Sequence, residues 1–277
     1  MPATPFNVSA FASEIALQII GLVLVWRFVV GKRGREQFRQ PAGLPTWSCE
    51  VDQFLLIALV IVAGGVLAAL FSGMIVNRFP LSSDTKTIIN SAAFQLGLLI
   101  GPALVPLKLS HHPLSPRMRP SVILSGLTTF LIALPVVTVV NIAWQAFLEL
   151  CGLPAQQQDL LRMFNEAKQP AVIGVMIALA VLIAPITEEL LFRATFFRYL
   201  RTRVPRPIAL WIPGVIFAAL HVNWVTLDGL ASFAPLVVLA VIFSIAFERT
   251  GEIGTAMVAH SLFNLHTVLL LLAGVTE

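Results

Sequence analysis

The sequence predicts an all-α fold, a polytopic transmembrane helical bundle of about eight spans, on three observations. Of its 277 residues, 57% are hydrophobic and only 12% are charged, about half the charged share of a soluble domain. That leaves too few charges to cover a water-facing surface, and the mean hydropathy of +0.89 agrees. The apolar residues fall in runs of about 20, the length that crosses roughly 30 Å of hydrocarbon. Short clusters of Lys and Arg separate the runs, as topology signals do.

The expected spans are 11–30, 54–76, 88–109, 121–148, 171–197, 207–223, 231–247 and 253–273. No Lys or Arg precedes the first, so it lacks the charged start of a signal peptide and reads as a retained span. The third is the weakest, because Asn90, Ser91 and Gln95 interrupt its start. The fourth is long and holds Pro135, which predicts a kink or strong tilt. Segment 154–168 opens at Pro154 and sets Leu160, Leu161 and Phe164 among polar residues, the pattern of a short amphipathic surface helix. Residues 1–120 read as N-terminal transmembrane helices carrying little chemistry, and residues 121–277 as the core.

Orientation follows from the basic residues. Lys32, Arg33, Arg35 and Arg39 follow the first span, Lys108, Arg117 and Arg119 the third. Arg198, Arg201, Arg203 and Arg206 follow the fifth, and Arg249 the seventh. The other side holds only Arg78, Lys86, Arg162 and Lys168. The positive-inside rule then puts both termini outside, with a prokaryotic plasma membrane as the expected location. The net charge of +4 has no basic stripe with interleaved aromatics behind it, so no nucleic-acid partner is expected. Cys49 and Cys151 form no metal motif and fall on opposite sides of the bilayer, where they cannot pair.

Charged groups inside a span cost about 2.5–3.5 kcal/mol each on insertion scales and usually mark function. Span five carries Glu188, Glu189 and Arg193. Glu189 and Arg193 are four apart, on one helix face, and can pair. Glu188 is turned about 100° away, which leaves it for chemistry. Pro185 frees a backbone carbonyl just before it. Span six carries His221, and span eight carries His260 and Asn264 on one face. Each element alone fits a packed histidine or a helix-to-helix hydrogen bond. Together they supply a carboxylate, two imidazoles and a carboxamide from three helices. His260 and Asn264 lie roughly 10–17 Å from the start of their span, and Glu188 about 14 Å before the end of its own. His221 comes out roughly 20 Å from residue 207, so its helix must start higher or tilt.

Peptide hydrolysis needs a base for water and donors for a tetrahedral oxyanion. A glutamate with a histidine supplies the first, a histidine with an asparagine the second. A metal-bound water is the alternative, with Glu188, His221 and His260 as candidate ligands of a divalent ion such as zinc. No HExxH helix is present, which counts against an ordinary zincin site.

At these residues the sequence resembles the CPBP family of intramembrane peptidases, which includes the type II CAAX prenyl endopeptidases and bacteriocin-processing or immunity proteins. Glu188, Glu189 and Arg193 match its Glu-Glu-x-x-x-Arg motif, Phe217 and His221 its Phe-x-x-x-His, and His260 and Asn264 its His-x-x-x-Asn. Thr250-Gly251 ahead of the third motif is also family-like, and the resemblance covers about residues 170–270. It implies that Glu188 activates water with help from His221, that His260 and Asn264 stabilise the oxyanion, and that Glu189 and Arg193 support the site. It also implies a membrane-associated protein or peptide substrate, and lipid as surroundings. The family is commonly described as metallopeptidases, with a metal-free glutamate-type mechanism as the alternative. A non-catalytic scaffold or immunity protein is the second reading and a proton-coupled carrier the third; the carrier would favour paired halves with broken helices, and no such repeat is present. Beyond the motifs, His266 is expected to face away from Asn264, about 200° around the helix. Glu14 and Gln18 share a face of span one that can bond a neighbouring helix.

Overall fold

The computed structural model describes residues 5–39, 43–44, 47–104, 118–153 and 170–273. Helix is the only regular structure among them. α1 spans Pro5–Val25 and runs on as a wider turn over Trp26–Val30, α2 is Lys32–Arg39, α3 is Val51–Val76, and α4 is Ser83–Leu104. α5 is Pro120–Leu150, α6 the continuous run Pro170–Arg201, α7 Arg206–Ala219, α8 Phe233–Thr250 and α9 Ile253–Leu272. The expected surface helix at 154–168 and the end of the expected third span lie outside the described residues.

Six of these helices are long and apolar enough to cross a membrane: Ser9–Val30, α3, α5, α6, Leu230–Thr250 and α9. The protein is an integral membrane protein. α4 has the length, at 22 residues, but its polar start lowers its hydropathy. α7 has only 14 residues, about 21 Å of rise, which falls short of the hydrocarbon thickness. The apolar run at 207–223 is therefore not one full span. Asn223 Oδ1 accepts the Val225 N–H at 3.1 Å, and Gly229 sits at φ +83, so the chain turns here.

Between helices lipid offers no hydrophobic drive, so close backbone approach and polar bonds hold the bundle. A Cβ on Gly97 of α4 would run into the Gly64 carbonyl and Ala68 of α3. Pro135 has no N–H for the Leu131 carbonyl four residues back, and Gly21 of α1 packs against that same carbonyl and the proline ring. α5, α6, α8 and α9 enclose the main core around Phe130, Leu134, Phe197, Phe243, Phe247 and Met257. At one end Glu248, buried on α8, takes Arg201 Nε at 2.5 Å and Arg206 Nη2 at 2.7 Å. This clamp ties the α6–α7 turn to the end of α8, where Gly251 stops the helix in the left-handed conformation at φ +68.

Candidate active site

α6 is helical throughout but not uniformly α. Its turns widen over Leu179–Ile183 and again over Leu190–Phe197, on either side of the glutamates. In the first widened turn the Ala184 N–H bonds to the Leu179 carbonyl, five residues back. The following residue, Pro185, has no N–H to give the Ala180 carbonyl. Asn264 of α9 reaches across and donates Nδ2 to that carbonyl at 2.7 Å. The proline-freed carbonyl is thus satisfied by a site residue, which fixes α9 against α6 beside Glu188.

Glu189 and Arg193 pair as their spacing predicts, Nη1 to Oε1 at 2.8 Å, with both side chains buried. Arg193 also donates Nη2 to the Ala240 carbonyl at 3.3 Å and lies between the rings of Phe217 and Phe243. A guanidinium over aromatic faces gains cation–π attraction, which helps offset its loss of water. Glu189 has a second partner that spacing did not reveal: His260 Nδ1 lies 2.8 Å from the same Oε1. A carboxylate there can only accept, so Nδ1 carries the proton. The other imidazole nitrogen, Nε2, then points toward Glu188, 3.8 Å from its Oε2.

His221 does not sit on a helix. It follows the end of α7, in the turn, and its Nδ1 lies 2.7 Å from the Phe217 carbonyl. The carbonyl accepts, so Nδ1 is protonated and Nε2 keeps its lone pair. α7 lifts the ring by about 21 Å, and Glu188 lies about 20 Å before the end of α6, which runs on to Arg201, so the two reach a similar depth.

Glu188, His221, His260 and Asn264 all line one cavity of about 880 Å³, enclosed by α1, α4, α5, α6, α8 and α9 and the turn after α7. Glu189 and Arg193 stand behind its wall. The cavity also contains residues that the sequence reading passed over. Gln95 of α4 donates Nε2 toward Glu188 Oε1 at 3.5 Å, and its Oε1 accepts from the buried Thr187 hydroxyl. Ser91 and Gln95, four apart on one face of α4, both line the cavity. That same-face polar pair was the available signal, though in hydropathy it registers only as a weak span. His266 does not face away: it lines the cavity and its Nε2 meets Glu14 Oε2 at 2.6 Å. The cavity wraps around two faces of α9, so a 200° turn does not remove a side chain from it. Gln18 bonds Glu14 at 2.7 Å and Thr138 at 3.0 Å, the neighbouring-helix bond expected of its face. Helices α1 and α4, read as carrying little chemistry, therefore form part of the wall.

Whether Glu188, His221 and His260 suit a metal can be judged from their donors. Among the described residues no three His, Cys, Asp or Glu side chains converge as a metal-holding group. His260 and His221 each keep Nε2 free behind an Nδ1–H held by Glu189 or by the Phe217 carbonyl, as metal-ligating imidazoles do, so what is lacking is convergence rather than donors. Glu189 Oε2 is buried without a partner, but the adjacent Arg193 makes it a poor place for a second cation. The residues as placed do not fit a three-donor site.

No curated protein and no solved structure matches the chain. The stretch from the start of α6 into α9, which contains every motif residue above, does match a family model: residues 170–266 are similar to the Rce1-like type II CAAX prenyl endopeptidases.

Proposed function

We propose that the protein is an intramembrane endopeptidase that hydrolyses a peptide bond in a membrane-associated protein or peptide. One observation supports this above all: Glu188, His221, His260 and Asn264, from separate elements, line a single cavity within a membrane bundle. The family match is to endopeptidases and points the same way.

The residues can carry the reaction without help. The Glu188 carboxylate takes a proton from water, whose oxygen attacks the scissile carbonyl carbon. His221 Nε2, bare because Nδ1 is spent on Phe217, accepts the water's other hydrogen bond and aims it. As the carbonyl oxygen becomes an oxyanion, Asn264 offers its second amide N–H, the first being held by Ala180. His260 Nε2 can donate only when the ring holds two protons, because Nδ1–H already points at Glu189. In that state Glu189 and the developing oxyanion are its counter-charges. Collapse of the intermediate breaks the C–N bond, and the proton on Glu188 passes to the leaving amine. A single oxyanion donor is worth about 10²–10³ in rate, and a positioned base about 10²–10⁴.

Purified full-length protein in lipid nanodiscs, incubated with prenylated and unprenylated C-terminal peptides of the CAAX class, provides the test. Mass spectrometry should show endoproteolytic fragments that disappear in Glu188→Ala and His221→Ala. Undiminished turnover in both variants would sink the reading.

A further inference from the structure

The cavity holds a second ionisable pair that the proposed reaction does not use. Glu14, from α1, and His266, from α9, meet at 2.6 Å with side chains 20% and 15% exposed. Glu14 Oε1 also receives Gln18 Nε2 at 2.7 Å. Phe130 presents an edge contact to the imidazole, with ring centroids 5.8 Å apart. Asn141 and Gln145 of α5 line the same cavity, joined to each other at 3.2 Å.

The cavity's charge is lopsided. Its described lining residues include two carboxylates, Glu14 and Glu188, and three histidines, but no Lys or Arg. A histidine is positive only when it carries a second proton, and Arg193 is committed to Glu189. Among the described lining residues the fixed charge is therefore negative, and low-dielectric walls strengthen its pull on a cation. Glu14 is also displaced along α9 from His260, while from Asn264 it is separated mainly by the turn around the helix. His266 lies six residues beyond His260 on α9, about 9 Å of helical rise. An extended peptide covers that distance in about two to three residues.

We infer that Glu14, held by His266 and Gln18, is a cation-accepting subsite, and that the peptide presented to Glu188 carries a Lys or Arg side chain two or three residues from the scissile bond. The inference rests on the endopeptidase reading for what the cavity takes in. In it, the carboxamides of Gln18, Asn141 and Gln145, each both donor and acceptor, serve the peptide backbone while Glu14 reads the side chain.

The test is binding, measured apart from turnover. Short fluorescent peptides carrying one Lys, one norleucine or one Glu, scanned along an otherwise uncharged sequence, are titrated into full-length Glu188→Gln protein in nanodiscs. The expected result is about tenfold tighter binding of Lys than norleucine at one register, with Glu weaker still. Glu14→Gln should bring the Lys-to-norleucine ratio to about one, Glu14→Asp should retain the preference, and Glu14→Lys should transfer it to the Glu peptide. A ratio near one in the parent protein, or a preference unchanged in Glu14→Gln while thermal stability falls, overturns the subsite and leaves Glu14 as a latch for α1. Turnover of the same peptides by the wild-type chain separates the two readings. A Lys preference without cleavage keeps the subsite and removes the reaction; cleavage without a Lys preference does the reverse.

Discussion

His260 Nδ1 lies 2.8 Å from Glu189 Oε1, so the second carboxylate of the Glu-Glu pair orients the imidazole that faces the first. Glu189 thereby joins two tasks. It neutralises buried Arg193, and it fixes which nitrogen of His260 carries a proton.

Removing that carboxylate should therefore cost both stability and rate. Breaking a buried pair by deleting one partner typically costs about 3–5 kcal/mol, because the other charge is left uncompensated. Glu189→Leu is expected to lower the thermal unfolding temperature in detergent well below that of Glu188→Gln. The double variant Glu189→Leu with Arg193→Met should regain much of the stability, since no charge is then stranded. It should not regain activity, because His260 still lacks its acceptor. Recovery of both would mean that Glu189 serves only to balance Arg193.

Gln95 supplies a second, sharper test of positioning. Its amide reaches toward Glu188 while its oxygen is held by Thr187, an arrangement that aims the carboxylate without touching the reacting atoms. Gln95→Leu should reduce kcat about tenfold with little change in KM, as expected when transition-state geometry rather than substrate binding is lost. Gln95→Glu should be worse, since two carboxylates would then repel. Steady-state kinetics on a single cleaved peptide reads the split; a change in KM alone would show that Gln95 binds substrate instead.

These two relationships mark the limit of what the sequence made legible. Apolar run length placed α3, α5, α6, α8 and α9 to within a few residues, because crossing hydrocarbon is a length requirement. The i,i+4 spacing of Glu189 and Arg193 foretold their ion pair, because helical geometry is local. The Glu189–His260 contact joins residues 71 apart in sequence, and no periodicity encodes that. His221 was misplaced for a different reason. The apolar residues run on through Leu220, Val222 and Val225, while the turn at Asn223 and the Asp228-Gly229 step end the helix. Gln95 and Glu14 were visible as polar interruptions, but only tertiary packing reveals that both face the cavity that holds Glu188.

Asn264 links the site to the backbone of α6 through the Ala180 carbonyl. Asn264→Leu leaves that carbonyl buried without a donor, at about 1–3 kcal/mol, and removes an oxyanion donor as well. Asn264→Asp should destabilise at least as much, since a carboxylate oxygen would face the carbonyl. Hydrogen exchange should rise in residues 179–186 of both variants relative to wild type, with activity falling in parallel. Unchanged exchange there would show that the widened turn stands without Asn264.

Metal dependence follows from the donor geometry. Three converging donors are lacking among the described residues, so activity is expected to survive a strong chelator. Elemental analysis of the purified protein should find no stoichiometric zinc. The control is added Zn²⁺, which the facing Glu188 and His260 can bind as an inhibitor, giving a loss of activity that the chelator reverses. Inactivation by the chelator alone, with rescue by one divalent metal, would show that Glu188 and the free Nε2 atoms of His221 and His260 close around a metal, with Glu188 as a ligand.

The two native cysteines offer a topology test that needs no engineered probe. Cys151 is exposed just after α5, whereas Cys49 is buried ahead of α3, and both are free thiols. The positive-inside rule, applied to the distribution of Lys and Arg, predicts Cys151 on the outer face and Cys49 on the cytoplasmic face. A membrane-impermeant maleimide applied to intact cells should label Cys151 and spare Cys49. Because Cys49 packs with Trp47, Phe54 and Tyr199, it should resist the reagent even in inside-out vesicles, and react only once the protein is unfolded in detergent. Cys49→Ser isolates the first signal and Cys151→Ser the second. Labelling of Cys151 only from the inside would invert the bundle, placing the Arg201–Glu248–Arg206 clamp and the start of α7 on the outer face.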